Sequence, residues 1–282
     1  IAQCLVGSEM CIRDRHYLVS DAIRRQLVSD VPLCTFLSGG LDSSIISRIA
    51  SDGAKSHGRR LCTYSVDYTD NDKFFKESLF QPNKDSDYIS LISNYIGSKH
   101  KNIVLDNKAV AHALEESTEA RSLPGFTDVD SSLLLFCREV QREQTVALSG
   151  ECADEIFGGY PWYHNKDILF EETFPWSRSI DVRQSILKPG LLKNGGEFVH
   201  EKYLETVKSA SYLESDSKTE RRMREMFMLN MDWFMQTLLM RKDMMSMHCS
   251  LEVRVPFCDY RIVEYAYNMP WKFKSPGGRE KG

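Results

Sequence analysis

Short apolar runs alternate with helix-period segments through the first half of the chain. "LCTFL" (33–37) is an almost unbroken apolar run between Pro32 and a glycine pair, the pattern of a strand buried on both faces of a parallel sheet. "LCTYSV" (61–66), "NIVL" (102–105) and "TVALSG" (145–150) read as three further strands. Helical spacing runs from Tyr17 to about Leu27 and from Ser44 to Ala50. It recurs in "SDYISLISNYIG" (86–97), with Gly97 as the stop, and in "SSLLLFCREV" (131–140). This alternation predicts βαβ units and an α/β fold with a doubly wound parallel sheet. After Tyr160 aromatics, methionines and charges dominate and no strand is convincing. "RRMREMFMLNMDWFMQTLLM" (221–240) predicts one long helix with a methionine-rich face. A boundary is therefore expected near residue 165, with an α/β domain over 16–165 and a helical part over 166–282. Residues 1–15 show no clear period and are expected to be non-native or disordered. The chain opens on Ile1 and stops in "SPGGREKG", a turn running into a new helix, so a fragment of a longer protein is expected.

Between the first strand and its helix lies "SGGLDSS" (38–44). Glycines let backbone turn tightly and approach a ligand, and a helix N-terminus presents unpaired N–H groups and partial positive charge to an anion. Serine hydroxyls add donors without bulk. The lysine of G-x-x-x-x-G-K-[ST] is missing, so γ-phosphate transfer is not the natural chemistry. Asp42 would repel a phosphate unless Mg²⁺ lay between them, which points to a pyrophosphate-plus-metal site. The competing reading is a capped helix, with Ser38, Asp42 or Ser43 as the cap. The fourth strand runs into "LSGECADE" (148–155), with Glu151, Asp154 and Glu155 in one turn. At the carboxyl edge of a parallel sheet that turn faces the same crevice. A metal bridging Asp42 and Asp154 would neutralise a departing pyrophosphate.

Composition narrows the partners. The chain has 282 residues, 42% hydrophobic and 27% charged, enough for a sizeable core. A net charge of −4 and a pI near 6.0 argue against a dedicated nucleic-acid binder. No run reaches the ~18 uncharged apolar residues of a membrane span, and no signal peptide is readable. Cys4, Cys11, Cys34, Cys62, Cys137, Cys152, Cys249 and Cys258 form no C-x-x-C pair and no zinc spacing. Several lie in apolar runs, so a reduced, cytoplasmic protein is expected. Seven histidines show no catalytic spacing.

Residues 36–45 resemble the PP-loop of ATP pyrophosphatases, and "LSGECADEIFGGYPW" (148–162) resembles the second signature of the asparagine synthetases. "RKDMMSMHCSLEVRVPFCDYRIVEYA" (241–266) is similar to that family's R-x-D-x-x-S-M…E-x-R-x-P-F-x-D segment. The three matches span about residue 16 to the end. The resemblance implies an adenine nucleotide alpha hydrolase-like fold and the synthetase half of a glutamine-hydrolysing asparagine synthetase. There, aspartate and MgATP would give β-aspartyl-AMP and pyrophosphate, and ammonia would displace AMP. Carried over residue by residue, it gives ATP and pyrophosphate binding to Leu37, Ser38, Gly39, Gly40, Leu41, Asp42, Ser43, Ser44, Val66, Ser149 and Gly150. Asp42 and Asp154 would hold the metal. Glu151 would serve the acyl-adenylate steps. "LPGFTDVDSS" (123–132) resembles the loop that receives the amino acid, with Asp128, Asp130 and Ser131 as candidates.

Arg241, Lys242, Asp243, Glu252, Arg254 and Asp259 read as a paired network between helices, with Met244, Met245 and Met247 as core. One departure is visible: Cys152 stands where the family most often has glycine. If that position needs φ > 0, cysteine costs of order 1 kcal/mol there; an inert buried thiol is expected rather than a nucleophile. The family's glutaminase uses an N-terminal cysteine. Cys4 is not terminal, so the glutaminase domain is expected to be missing and no glutamine hydrolysis is expected. The family's later basic segment is expected beyond Gly282. No membrane or nucleic-acid partner is expected, and a homodimer is compatible with this reading. The alternatives are a related PP-loop amide-forming enzyme (β-lactam synthetase-like, or an amidotransferase on a larger carboxylate) and an idle nucleotide-binding module.

Overall fold

A computed structural model describes residues 8–76 and 85–278. Cys4 and the closing "REKG" lie outside the described residues. The chain forms two compact units. The first takes residues up to Ala153 and then Thr237–Glu264. The second takes Asp154–Gln236 and the residues from Tyr265 onward. The division thus falls at Ala153/Asp154 rather than near 165, and a segment expected to be wholly helical returns to the α/β unit.

The α/β unit is built on five parallel strands: β1 (Leu33–Phe36), β2 (Cys62–Tyr68), β3 (Lys99–Leu105), β4 (Val146–Leu148) and β5 (Glu252–Arg254), in the order β3-β2-β1-β4-β5. The helices are α1 (Ser8–Gln26), α2 (Leu41–Ser56), α3 (Asp85–Ile96) and α4 (Asp128–Gln141). Right-handed crossovers place α2 and α3 on one face as the chain steps outward. They place α4 on the other as it steps back past β1. Alternation along β1 agrees. Phe36 packs edge-on against Phe136 of α4 at 4.8 Å, while the Thr35 hydroxyl bonds Ser47 of α2 at 2.7 Å. Cys34, Phe36, Tyr64, Ile103, Phe136, Val140 and Ala147 form the α4-side core. This is the predicted doubly wound α/β fold, and among the described residues no helix is long and apolar enough to cross a membrane.

Three further differences from the sequence reading have physical causes. Helix α1 begins at Ser8, inside the stretch expected to lie outside the fold. It is held from its other end: Arg254 donates to the Gln26 and Val28 carbonyls at 2.7 Å, and Arg261 bridges Asp21 and Asp259. A cation at a helix C-terminus satisfies orphan carbonyls and opposes the helix dipole. Strand β5 was not expected, because "EVR" carries two charges and only one apolar residue; its backbone pairs with β4 all the same.

The third difference is a disulfide. Cys152 and Cys258, expected to be reduced thiols, are bonded, with Cα atoms 5.7 Å apart. Leu148 and Arg254 are registered partners in β4 and β5, and each cysteine lies four residues beyond its partner. Equal offsets from paired strands bring the two together.

In the second unit, α5 (Ala153–Phe157) continues the loop after β4 and is followed by α6 (Gly195–Ser209) and α7 (Lys218–Leu229). A capping box of Ser217 and Glu220 starts α7. The predicted long helix runs through α7, a π-helical turn at Asn230–Met235 and α8 (Gln236–His248), and from Thr237 onward it belongs to the α/β unit. Trp162, Tyr163, Phe174, Tyr203, Met226 and Leu229 make the core. Buried Arg222 ties it together by donating to Tyr203 and to the Leu169 and Glu171 carbonyls.

The cross-link closes a loop with a sequence separation of 106. Cys258→Ser should therefore lower the unfolding free energy by about 4–5 kcal/mol relative to the oxidised protein, on the chain-entropy account. Denaturant unfolding with and without reductant measures this. A Cys152–Cys258 peptide should appear in a non-reducing digest and vanish on reduction.

Candidate active site

The chain leaves β1 in one direction and returns to β4 on the other side of it. The carboxyl ends of these neighbouring strands therefore open onto a topological switch point. Thr35 is registered with Leu148, so the loops 37–40 and 149–152 start side by side.

The first loop is held by its own serines. The Ser43 hydroxyl donates to the Gly40 carbonyl at 3.1 Å and accepts from the Ser38 N–H at 3.2 Å. Ser44 donates to the same carbonyl at 2.7 Å. These hydroxyls shape the turn rather than cap the helix: α2 starts at Gly40 with no side-chain cap bond, which is the arrangement an incoming anion can use. Gly39 has φ +81°, and a Cβ there would lie 2.8 Å from Tyr88 Cβ and 3.1 Å from the Asp85 carbonyl. Both backbone sign and space demand glycine. Asp42 sits in the first turn of α2, half-buried, and Leu41 beside it is exposed.

The second loop packs on the first. The Ser149 N–H donates to the Arg254 carbonyl at 2.9 Å, which continues the β4–β5 ladder. A Cβ on Gly150 would lie 3.3 Å from the Ser43 nitrogen and 3.4 Å from Asp42 Cβ. Gly150 thus lets the second loop touch the start of α2. Glu151 follows. Its Oε1 lies 2.6 Å from Nζ of Lys242 on α8, with side chains 17% and 9% exposed. Burial pushes the Glu151 carboxyl up. The Lys242 ammonium, with help from the Ser149 hydroxyl, more than offsets this and holds it below the usual carboxylate range. Glu151 Oε2 is buried and has no hydrogen-bond partner among the described residues.

Cys152 has φ +77°, the left-handed backbone that glycine most easily adopts. Asp154 lies in the first turn of α5 and begins the second unit, so Asp42 and Asp154 belong to different units. Glu155 is buried and accepts from Tyr160 at 2.6 Å.

Val66, on β2, is 41% exposed, whereas Leu37 is 1% exposed and lies in the core. In the 123–132 loop, Asp130 is buried, accepts from the Phe126 N–H at 2.9 Å and faces Arg121. Ser131 donates weakly to the Thr127 and Asp128 carbonyls. Asp128 instead lines a cleft of about 430 Å³ with Tyr68, Asn107, Leu114, Thr127 and Ser132. Arg254 and Asp259 are structural, as the network reading expected. Lys242 is not confined to such a network: its partner is the candidate catalytic carboxylate. The sequence signal was a lysine inside a methionine-rich helical face.

Among the described residues no three His, Cys, Asp or Glu side chains gather into a metal cage. Mg²⁺ at a phosphate site takes one or two carboxylates and completes its shell with phosphate and water, and the hard oxygens of Asp42 suit it.

Residues 16–282 match the asparagine synthase family model. The chain is 51% identical over 268 residues to asparagine synthetase [glutamine-hydrolyzing] 3 of Bacillus subtilis (strain 168), covering 94% of this chain and 43% of that protein. It is 28% identical to asparagine synthetase [glutamine-hydrolyzing] 1 of the same organism, covering 96% and 45%. It is 23% identical to asparagine synthetase [glutamine-hydrolyzing] of Mesocricetus auratus, covering 94% and 37%. The chain spans less than half the length of these relatives.

Two glycine positions separate backbone sign from packing. Gly58 also has positive φ, but a Cβ added there would meet no atom within 4 Å. Gly58→Ala should cost about 1 kcal/mol and Gly39→Ala at least about 2 kcal/mol more, read by urea unfolding. Under reducing conditions, Cys152→Gly should stabilise the protein by about 1 kcal/mol and Cys152→Ala should not.

Proposed function

The chain belongs to the asparagine synthase family, and we propose that it carries the ATP-dependent, amide-forming chemistry of asparagine synthesis, in the cytoplasm. The observation that carries this reading is the contact of Gly150 with the start of α2. It sets the half-buried Glu151, whose carboxyl the Lys242 ammonium holds below the usual range, beside an anion-receiving helix end.

In the proposed sequence, the aspartate β-carboxylate attacks the α-phosphorus of ATP, giving β-aspartyl-AMP and releasing pyrophosphate. Ammonia then forms the C–N bond, the acyl–phosphate C–O bond breaks, AMP leaves, and the new nitrogen gives up a proton. The backbone of Gly39 and Gly40 and the N–H groups of α2 receive the pyrophosphate. Ser149 and Gly150 contact the nucleotide, and Val66 offers apolar surface to the adenine. Asp42 would hold Mg²⁺, which supplies charge neutralisation for the departing pyrophosphate. Glu151 Oε2 accepts a proton at the acyl-adenylate stage. The relatives' names specify glutamine hydrolysis; on this reading a glutaminase domain supplies the ammonia in the longer protein.

The test is aspartate-dependent ATP–pyrophosphate exchange by the full-length protein. Asp42→Asn should abolish exchange while leaving the fold intact; undiminished exchange removes the metal role. Products should be AMP and pyrophosphate in step with asparagine. ADP with phosphate, or exchange driven by a different carboxylate and not by aspartate, rejects the proposed reaction.

A further inference from the structure

The ion pair under the second loop is asymmetric. Lys242 approaches Glu151 through one carboxylate oxygen, Oε1, at 2.6 Å, and Oε2 is left buried and unpartnered among the described residues. A pair serving stability alone gains most when both oxygens are satisfied, and a buried ion pair is in any case weak evidence of stability. An oxygen left without a donor is a standing cost unless another molecule supplies one.

Lys242 is itself constrained. Its side chain is nearly buried on α8, and its Nζ lies 5.2 Å from the centre of the Phe36 ring at the end of β1. The ring face favours a cation there. The ammonium is therefore anchored to the strand that leads into the pyrophosphate-type loop, and Glu151 is anchored to the ammonium. Arg241, next in sequence, has its Nε buried and unpartnered among the described residues. Cys137 beneath the pair stays a neutral thiol, because burial pushes it up to about 12.

We propose that Lys242 is a positioning residue for the amide-forming reaction. It fixes the Glu151 carboxylate by Oε1, so that Oε2 is presented to the reacting nitrogen. The inference rests on the proposed role of Glu151. It predicts that a positive charge at position 242 is needed for turnover and not for nucleotide binding.

The experiment uses the full-length protein with ammonium chloride as nitrogen source, and measures asparagine formation alongside KM for ATP and the thermal midpoint. Lys242→Met should lower kcat by about 100-fold with KM for ATP changed less than about threefold. Lys242→Arg, which keeps the charge, should recover kcat to within about tenfold of the parent. If Lys242→Met does not fold, Lys242→Gln replaces it, with the same expectation. Parent-level kcat in the neutral variants overturns the proposal. So does an equal loss in Lys242→Arg accompanied by a fall in thermal midpoint, which marks a purely structural lysine. Glu151→Gln separates the two readings. If it retains full activity, the role of Glu151 fails. If it is inactive while Lys242→Met is active, only the role of Lys242 fails.

Discussion

Everything at the candidate site depends on β1 and β4 lying side by side in a parallel sheet while their connections leave in opposite directions. A parallel pair needs a long crossover, and right-handed crossovers stepping opposite ways cannot cover the gap between the two carboxyl ends. That gap is where backbone can approach a ligand without a helix in the way. Two consequences are written into the residues. Gly39 must be small and left-handed because α3 closes on it, and Gly150 must be small because it rests on the first turn of α2.

The second loop carries several local costs at once. Glu151 and Lys242 are taken out of water together, one carboxylate oxygen has no protein partner among the described residues, and Cys152 adopts a backbone that a side chain disfavours. Such costs persist only where the surroundings over-determine the geometry. Here the surroundings are the β4–β5 ladder extended by Ser149, the cross-link to Cys258, and the clamp of Arg254 and Arg261 on α1. The third family segment, remote in sequence, thus acts as the floor on which the second stands.

Legibility followed burial. β1 and β4 were readable because strands covered on both faces become apolar runs. β5 was not, since an edge strand of three residues needs only backbone pairing and can carry Glu252 and Arg254. The left-handed turn at Cys152 was anticipated from the glycine usual at that position. The disulfide was not, because its closeness arises from strand register, and register leaves no mark in cysteine spacing. Likewise, a boundary inferred from where strands cease near residue 165 missed the return at Thr237, which becomes visible only once β5 has a partner. Lys242 read as one charge among six until its distance to Glu151 was known.

The pairing of β4 with β5 also has a temporal side. The ribosome delivers β4 roughly 100 residues before β5, a delay on the order of 5–20 s at ordinary elongation rates. During that interval Val146, Ala147 and Leu148 present an unpaired, wholly apolar strand edge, the kind of surface that recruits other strands. Once the intervening helices have emerged, the charged strand "EVR" pairs with that edge and closes it.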